Sequence, residues 1–169
     1  YDEANKLVYS VGPNTGTSAP CSGRTTITSL STFTKGNMII HAHMGGEMAY
    51  MMKMAGYDTI IVEGKATSPV YIKIRNDEVS IQDASSMWGK TTREATKMIA
   101  DIEGKEYNTT CIGQAGENLV NQSCMLNATS HSGGAGTGAV MGSKNLKAIT
   151  IYGTGSVKVA DSKKIFELN

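Results

Sequence analysis

Two segments of this chain share one design. His43 to Met54 reads HMGGEMAYMMKM and His131 to Gly142 reads HSGGAGTGAVMG; each opens His-x-Gly-Gly and then takes on helical spacing. An offset of 88 residues sets His43 on His131, Gly45 on Gly133, Gly46 on Gly134 and Met52 on Val140. The segments that follow, Tyr57 to Gly64 and Leu146 to Gly153, align with a slip of one. An internal duplication within 169 residues splits one core between two similar lobes. A Gly-Gly turn leaves backbone N–H groups free of Cβ obstruction, the arrangement that accepts phosphate-like anions. Two such turns about a pseudo-twofold could flank one ligand with two anionic arms. Tight helix–sheet packing by glycine is the competing reading, and the residues leave both open.

Taken in order, Leu7 to Val11 is a short apolar strand that runs into the breaker cluster Gly12 to Gly16, and Thr109 to Gly113 is its counterpart. Arg24 to Leu30 and Asn37 to Ala42 form a hairpin leading to the first Gly-Gly turn. Met48, Met51, Met52 and Ala55 then recur at helical spacing, a stripe that reads as core, with Gly56 as the stop. Tyr57 to Glu63 is expected as a buried strand, and Val70 to Arg75 with Glu78 to Gln82 as a hairpin around Asn76-Asp77. Thr91 to Glu103 is a helix with a capping box at Thr91 and Glu94 and a stop at Gly104. Leu119 to Leu126 and Ser156 to Val159 are expected as further strands. The fold class is therefore α+β, of antiparallel hairpins and a few short helices. The repeats occupy roughly 1–66 and 108–155 of a domain at 1–160, with a hairpin and helix insert at 67–107 and a further helical start at 161–169.

Chemistry is harder to find. Gly136-Thr-Gly138 lacks the strand before it and the acid after it that a dinucleotide fingerprint needs, and Ser143 stands before Lys144, which breaks the P-loop order. No paired acids or Ser/His/Asp spacing marks a reaction centre. His43 and His131 could be a metal pair, or could simply shape the turns with their backbones. Arg24, just after Cys21-Ser-Gly, reads as a guanidinium offered to an anion or as a solvated side chain. Sixteen basic and fifteen acidic residues, spread without blocks, indicate no nucleic-acid or membrane partner. Cys21, Cys111 and Cys124 form no C-x-x-C pair, which fits the reducing cytosol, and no run reaches the roughly 20 apolar residues of a membrane span.

Longer motifs carry a specific resemblance. Ala55-Gly-Tyr-Asp58 through Val62-Glu-Gly-Lys65, Trp88-Gly-Lys90, Ile112-Gly-Gln-Ala-Gly-Glu-Asn118 and Gly138 through Ala148 together resemble the N-terminal domain of the aldehyde:ferredoxin oxidoreductase family. Within that family, Ser29 to Gly46 is more similar to a bacterial branch than to the archaeal aldehyde oxidisers. The resemblance implies a base for a tungsten or molybdenum bis-pterin cofactor, whose phosphates are bridged by Mg²⁺. It implies cofactor contacts at Arg24, His43, Gly45, Gly46, Ser130, His131, Gly133 and Gly134, with the backbone carbonyls of His43 and His131 on the Mg²⁺. It further implies aldehyde oxidation in the full-length enzyme, a [4Fe–4S] cluster held by later domains and ferredoxin as electron partner, with a homodimer as one option for the assembly. The 169-residue piece alone would be inactive. The alternative is a non-catalytic dimerisation or anion-binding module.

The chain departs from the family pattern in both turns. His43 stands where the family has Asn, Gly134-Ala-Gly136 where it has Arg-Gly-Gly, and Ser130 where it has a further arginine. Either Mg²⁺, other arms of the domain or Lys144 is expected to compensate for that lost charge, or the cofactor variant differs.

Overall fold

The computed structural model describes residues 1–128 and 131–167. The first lobe is a four-stranded sheet of β1 (Leu7–Val11), β2 (Thr25–Leu30), β3 (Ile39–Met44) and β4 (Thr59–Val62), in the order β3-β2-β1-β4. Every neighbouring pair is antiparallel. Helix α1 (Met48–Met54) lies between β3 and β4 in the chain. It stops as the glycine signal requires: Gly56 takes φ +93°, and the N–H groups of Gly56 and Tyr57 bond back to the carbonyls of Lys53 and Met52.

The second lobe repeats this plan. Strands β7 (Asn108–Cys111), β8 (Met125–Asn127), β9 (His131–Gly133) and β10 (Leu146–Tyr152) stand in the order β10-β7-β8-β9, again antiparallel, with helix α4 (Thr137–Ser143) between β9 and β10 in the chain. A hairpin of β5 (Val70–Arg75) and β6 (Glu78–Asp83) extends the sheet through parallel pairing of β5 with β10. Asn76, at the two-residue hairpin turn, has φ +53°. The result is the α+β fold of two similar lobes read from the sequence.

The strand registers correct the offset. Ser10 pairs with Thr59 and Cys111 with Ala148, while α1 and α4 begin at Met48 and Thr137, so the repeats stand 89 residues apart from β3 onward, not 88. Thr25 opposes Met44 as Met125 opposes Gly133, and both of those opposed residues are buried. The counterpart of His43 is then Ser132, and the counterpart of Gly45-Gly46 is Gly134-Ala135. Gly46 (φ +85°) and Ala135 (φ +58°) share the left-handed conformation, which supports the match. A slip of one residue in a strand reverses the side each residue faces, so the two histidines are not equivalent.

The main core lies between the two sheets. Tyr9, Ile27 and Met44 from the first, Met125, Ile149 and Ile151 from the second, and Met48, Met52, Val140 and Met141 from the two helices form one cluster. Each helix packs on strands of both sheets, α1 on β1, β7 and β10, and α4 on β1, β2 and β10. Tyr9 buries its hydroxyl against the sulfurs of Met125 and Met141, 3.1 and 3.5 Å away, and that burial pushes its pKa far up. Helix α2 (Thr92–Glu103) sets Ala95 and Ile99 against Tyr71, Cys111 and Ala148 on the other face of the second sheet. Its capping box is complete, with the Glu94 N–H donating to the Thr91 hydroxyl and the Thr91 N–H to the Glu94 carboxylate.

Four strand expectations change. Leu119 to Cys124 is not a strand: α3 (Gln114–Glu117) precedes a left-handed Leu119 (φ +56°), and pairing begins only at Met125. Ser156 to Val159 pairs with no described strand; the chain there leaves Gly155, whose N–H donates to Met54 O. Strand β3 runs two residues beyond Ala42, through His43 to Met44. Strand β4 is an edge strand rather than a buried one, with Ile61 56% exposed. Helix α5 (Ser162–Glu167) forms where a helical start is expected.

Candidate functional site

At the junction of the lobes β3 lies against β9, the two strands that lead into the glycine turns. A Cβ at Gly45 would stand 2.7 Å from His131 Cδ2, and one at Gly46 would fall on Asn127 Oδ1, with His131 Nδ1 at 3.3 Å. The contact is reciprocal, since a Cβ at Gly133 would stand 2.7 Å from Ile27 Cδ1 of the first lobe. Gly133 is therefore the buried last residue of β9, and the second turn proper is Gly134-Ala135-Gly136. No described residue comes within 4 Å of where a Gly134 side chain would be, so packing among the described residues does not explain that glycine.

Around this junction the cations fall unevenly. Arg24 is exposed and immediately precedes β2; continuing the β2–β3 register by one step sets it opposite Gly45. His43 points outward from the first sheet, its Nδ1 3.1 Å from Thr26 Oγ1, and His41 repeats the arrangement with Thr28 Oγ1 at 3.0 Å. The His131 ring instead covers the first turn from the second lobe. Ser130 lies outside the described residues. Lys144 does not reach the turns: it caps the far end of α4, where its ammonium donates to the carbonyls of Glu3 and Gly64 at 3.2 and 3.1 Å. Burial holds its pKa below the usual lysine range, against the pull of Glu3, Glu63 and Asp2. The compensation expected from Lys144 is thus not available at the turns.

No cluster of three or more His, Cys, Asp or Glu able to hold a metal exists among the described residues. A cation at the junction would draw on backbone and amide oxygen. The thiol of Cys111 is sealed in the core beside Thr96 Oγ1 and Thr92 O, and burial pushes its pKa up, so it is no nucleophile.

Asn127 is the site residue that sequence reasoning missed. It lies wholly buried beneath the first turn, at the end of a segment whose mixed pattern concealed its strand. A polar residue stands there where the first repeat has the buried Ile27, and that mismatch between repeats is the signal that could have found it.

A family profile described as "Aldehyde ferredoxin oxidoreductase, N-terminal domain" matches residues 1–153. The chain is 45% identical over 170 residues to a protein of Pyrococcus horikoshii named "Tungsten-containing aldehyde ferredoxin oxidoreductase", covering 99% of this chain and 28% of that one. It is 46% identical over 162 residues to the protein of that name from Pyrococcus furiosus, covering 95% and 26%. Among solved structures it matches a chain of the "Active site complex BamBC of Benzoyl Coenzyme A reductase in complex with 1,5 Dienoyl-CoA", with a TM-score of 0.85 and 35% identity. That match covers 97% of this chain and 25% of the other. The chain thus spans about a quarter of the length of these relatives.

Proposed function

This chain belongs to the aldehyde ferredoxin oxidoreductase family as its N-terminal domain, and from that premise we propose that it is the base on which a tungsten or molybdenum bis-pterin cofactor rests in a longer oxidoreductase. The observation that carries the reading is the packing of β3 against β9, which brings the strands leading into the two glycine turns, one from each pseudo-symmetric lobe, to one junction. A bis-pterin is itself nearly two-fold symmetric, so each lobe can present one turn to one arm. The residues fit such a group at the second turn, which Gly134 leaves open among the described residues; at the first, His131 and Asn127 take the room a Cβ would need and so hold the backbone of Gly45-Gly46 in place.

When bound, the cofactor supplies the two-electron chemistry that takes an aldehyde to a carboxylic acid. The chain supplies position and charge. Backbone groups of Gly45, Gly46, Gly133 and Gly134 would hold the two arms, and the carbonyls of His43 and His131 would serve a Mg²⁺, a hard cation that prefers oxygen; the contact expected of Ser130 lies outside the described residues. Arg24 offers its planar fork to the anionic end beside Gly45. A [4Fe–4S] cluster held by other parts of the enzyme and a ferredoxin outside it complete the electron path, in the cytosol; no helix among the described residues is long and apolar enough to cross a membrane.

A pure packing module is the less favoured reading, because packing accounts for Gly45, Gly46 and Gly133 but not for Gly134, which is open among the described residues. Elemental and pterin analysis of the full-length enzyme, purified anaerobically, tests the proposal. Tungsten or molybdenum with pterin is the expected result; folded enzyme from metal-replete cells with neither overturns it.

A further inference from the structure

The first turn rests on a residue of the opposite lobe. Asn127 is wholly buried in β8, and its amide donates toward Asn108 Oδ1 at 2.5 Å, Thr110 Oγ1 at 3.0 Å and Thr109 O at 3.2 Å. Three acceptors around one NH₂ fix the carboxamide, because a flip would set its oxygen against Asn108 Oδ1 and the Thr109 carbonyl. The oxygen is thereby committed to the other side, where it is buried without a hydrogen-bond partner among the described residues. It lies where a Cβ at Gly46 would fall, so the Cα–H of Gly46 that a side chain would replace points at it. Gly46 is therefore required twice, by its φ of +85° and by Asn127.

A buried carbonyl oxygen left unpaired calls for an explanation, and its position against the turn supplies one. We propose that Asn127 is a positioning residue of the cofactor site: anchored on β7, it sets the path of Gly45-Gly46, so that the first turn's grip on the ligand depends on the second lobe. The inference rests on the cofactor reading above. It also accounts for the polar residue where the first repeat has Ile27: an aliphatic side chain would fill the space without being held in one orientation by β7.

The test is a double-mutant cycle in the full-length enzyme with Gly46→Ala, Asn127→Ala and both, each purified anaerobically. Tungsten or molybdenum and pterin are measured per folded chain at a temperature where circular dichroism shows every variant folded; Asn127→Ser replaces Asn127→Ala should the latter not fold. Each single variant should lose occupancy roughly 10- to 100-fold, the size typical of residues that orient a ligand-bearing group. The double variant should hold more cofactor than Gly46→Ala alone, because removing the carboxamide makes room for the new Cβ. A purely structural role would lower the melting temperature and leave occupancy of the folded fraction unchanged, and that result overturns the inference. So does a double variant whose losses simply multiply. Wild-type enzyme without metal or pterin would instead count against the cofactor reading itself.

Discussion

The ammonium of Lys147 and the carboxylate of Glu117 form an ion pair inside the second lobe, their side chains 0% and 3% exposed. The pair is completed on both sides: Lys147 donates to Lys90 O at 2.9 Å, Glu117 accepts from the Gly89 N–H at 2.8 Å, and Gln114 donates to Gly89 O at 2.7 Å. Three of the motifs that carry the family resemblance, around Trp88-Gly-Lys90, Gln114 to Glu117 and Lys147, therefore meet in a structural knot rather than at the glycine turns.

Removing one member of this knot leaves the other as an unpaired buried charge. Lys147→Met is expected to lower stability by roughly 3 to 5 kcal/mol, while Lys147→Met with Glu117→Gln should recover part of that loss. Urea denaturation of wild type and the two variants measures it; equal stability of Lys147→Met and wild type would mean the pair contributes nothing.

Much of this architecture is legible in the sequence, and the failures have physical causes. The duplication, the Asn76-Asp77 hairpin and the Thr91 capping box each rest on a local pattern that tertiary contacts do not override. An offset that pairs identical letters, His43 on His131, falls one short, because the ladder aligns inward with inward, Met44 on Gly133. Lys147 gave no signal of its burial, since a lysine in the apolar run Leu146 to Ile151 reads as an outward position until Glu117, thirty residues away, is seen to face it. Asn127 was hidden because its role lies in what it touches across the lobes.

Helices α3 and α4 cross on glycine. A Cβ at Gly142 would fall on the Gly116 carbonyl, and one at Gly116 would stand 2.9 Å from Gly138 O. Gly142→Ala is expected to cost about 1 to 3 kcal/mol, since neither backbone can yield alone. Chemical denaturation giving wild-type stability for that variant would contradict the crossing.

Glu103 makes stability sensitive to acid. Burial pushes its pKa up, but hydrogen bonds from Lys73 and Tyr71 outweigh that and hold it below the usual carboxylate range. A depressed folded-state pKa contributes stability above the unfolded carboxylate value and loses it as pH falls through the folded value. Wild type should therefore exceed Glu103→Gln in melting temperature at neutral pH, with the gap closing in the acid range below about pH 4. A gap that is constant with pH would remove the ion pair as its cause.

Arg24 is the exposed guanidinium that the β2–β3 register sets beside Gly45, and Lys144 is engaged elsewhere. A charge-assisted bond is worth roughly 1.5 to 3 kcal/mol, and lysine keeps the charge while losing the fork. Cofactor occupancy in the full-length enzyme should fall in the order wild type, Arg24→Lys, Arg24→Ala, with circular dichroism unchanged. Full occupancy in Arg24→Ala would make this arginine an ordinary surface residue.

In the function proposed here both turns serve one ligand. Anaerobic crystals of the loaded full-length enzyme, measured at the tungsten or molybdenum absorption edge, test it most directly. A single metal centre is expected, with its two pterin arms reaching one turn each, one at Gly45-Gly46 and the other at Gly134-Ala135. A metal bound away from the lobe junction, or a cofactor touching only one of the turns, would contradict it.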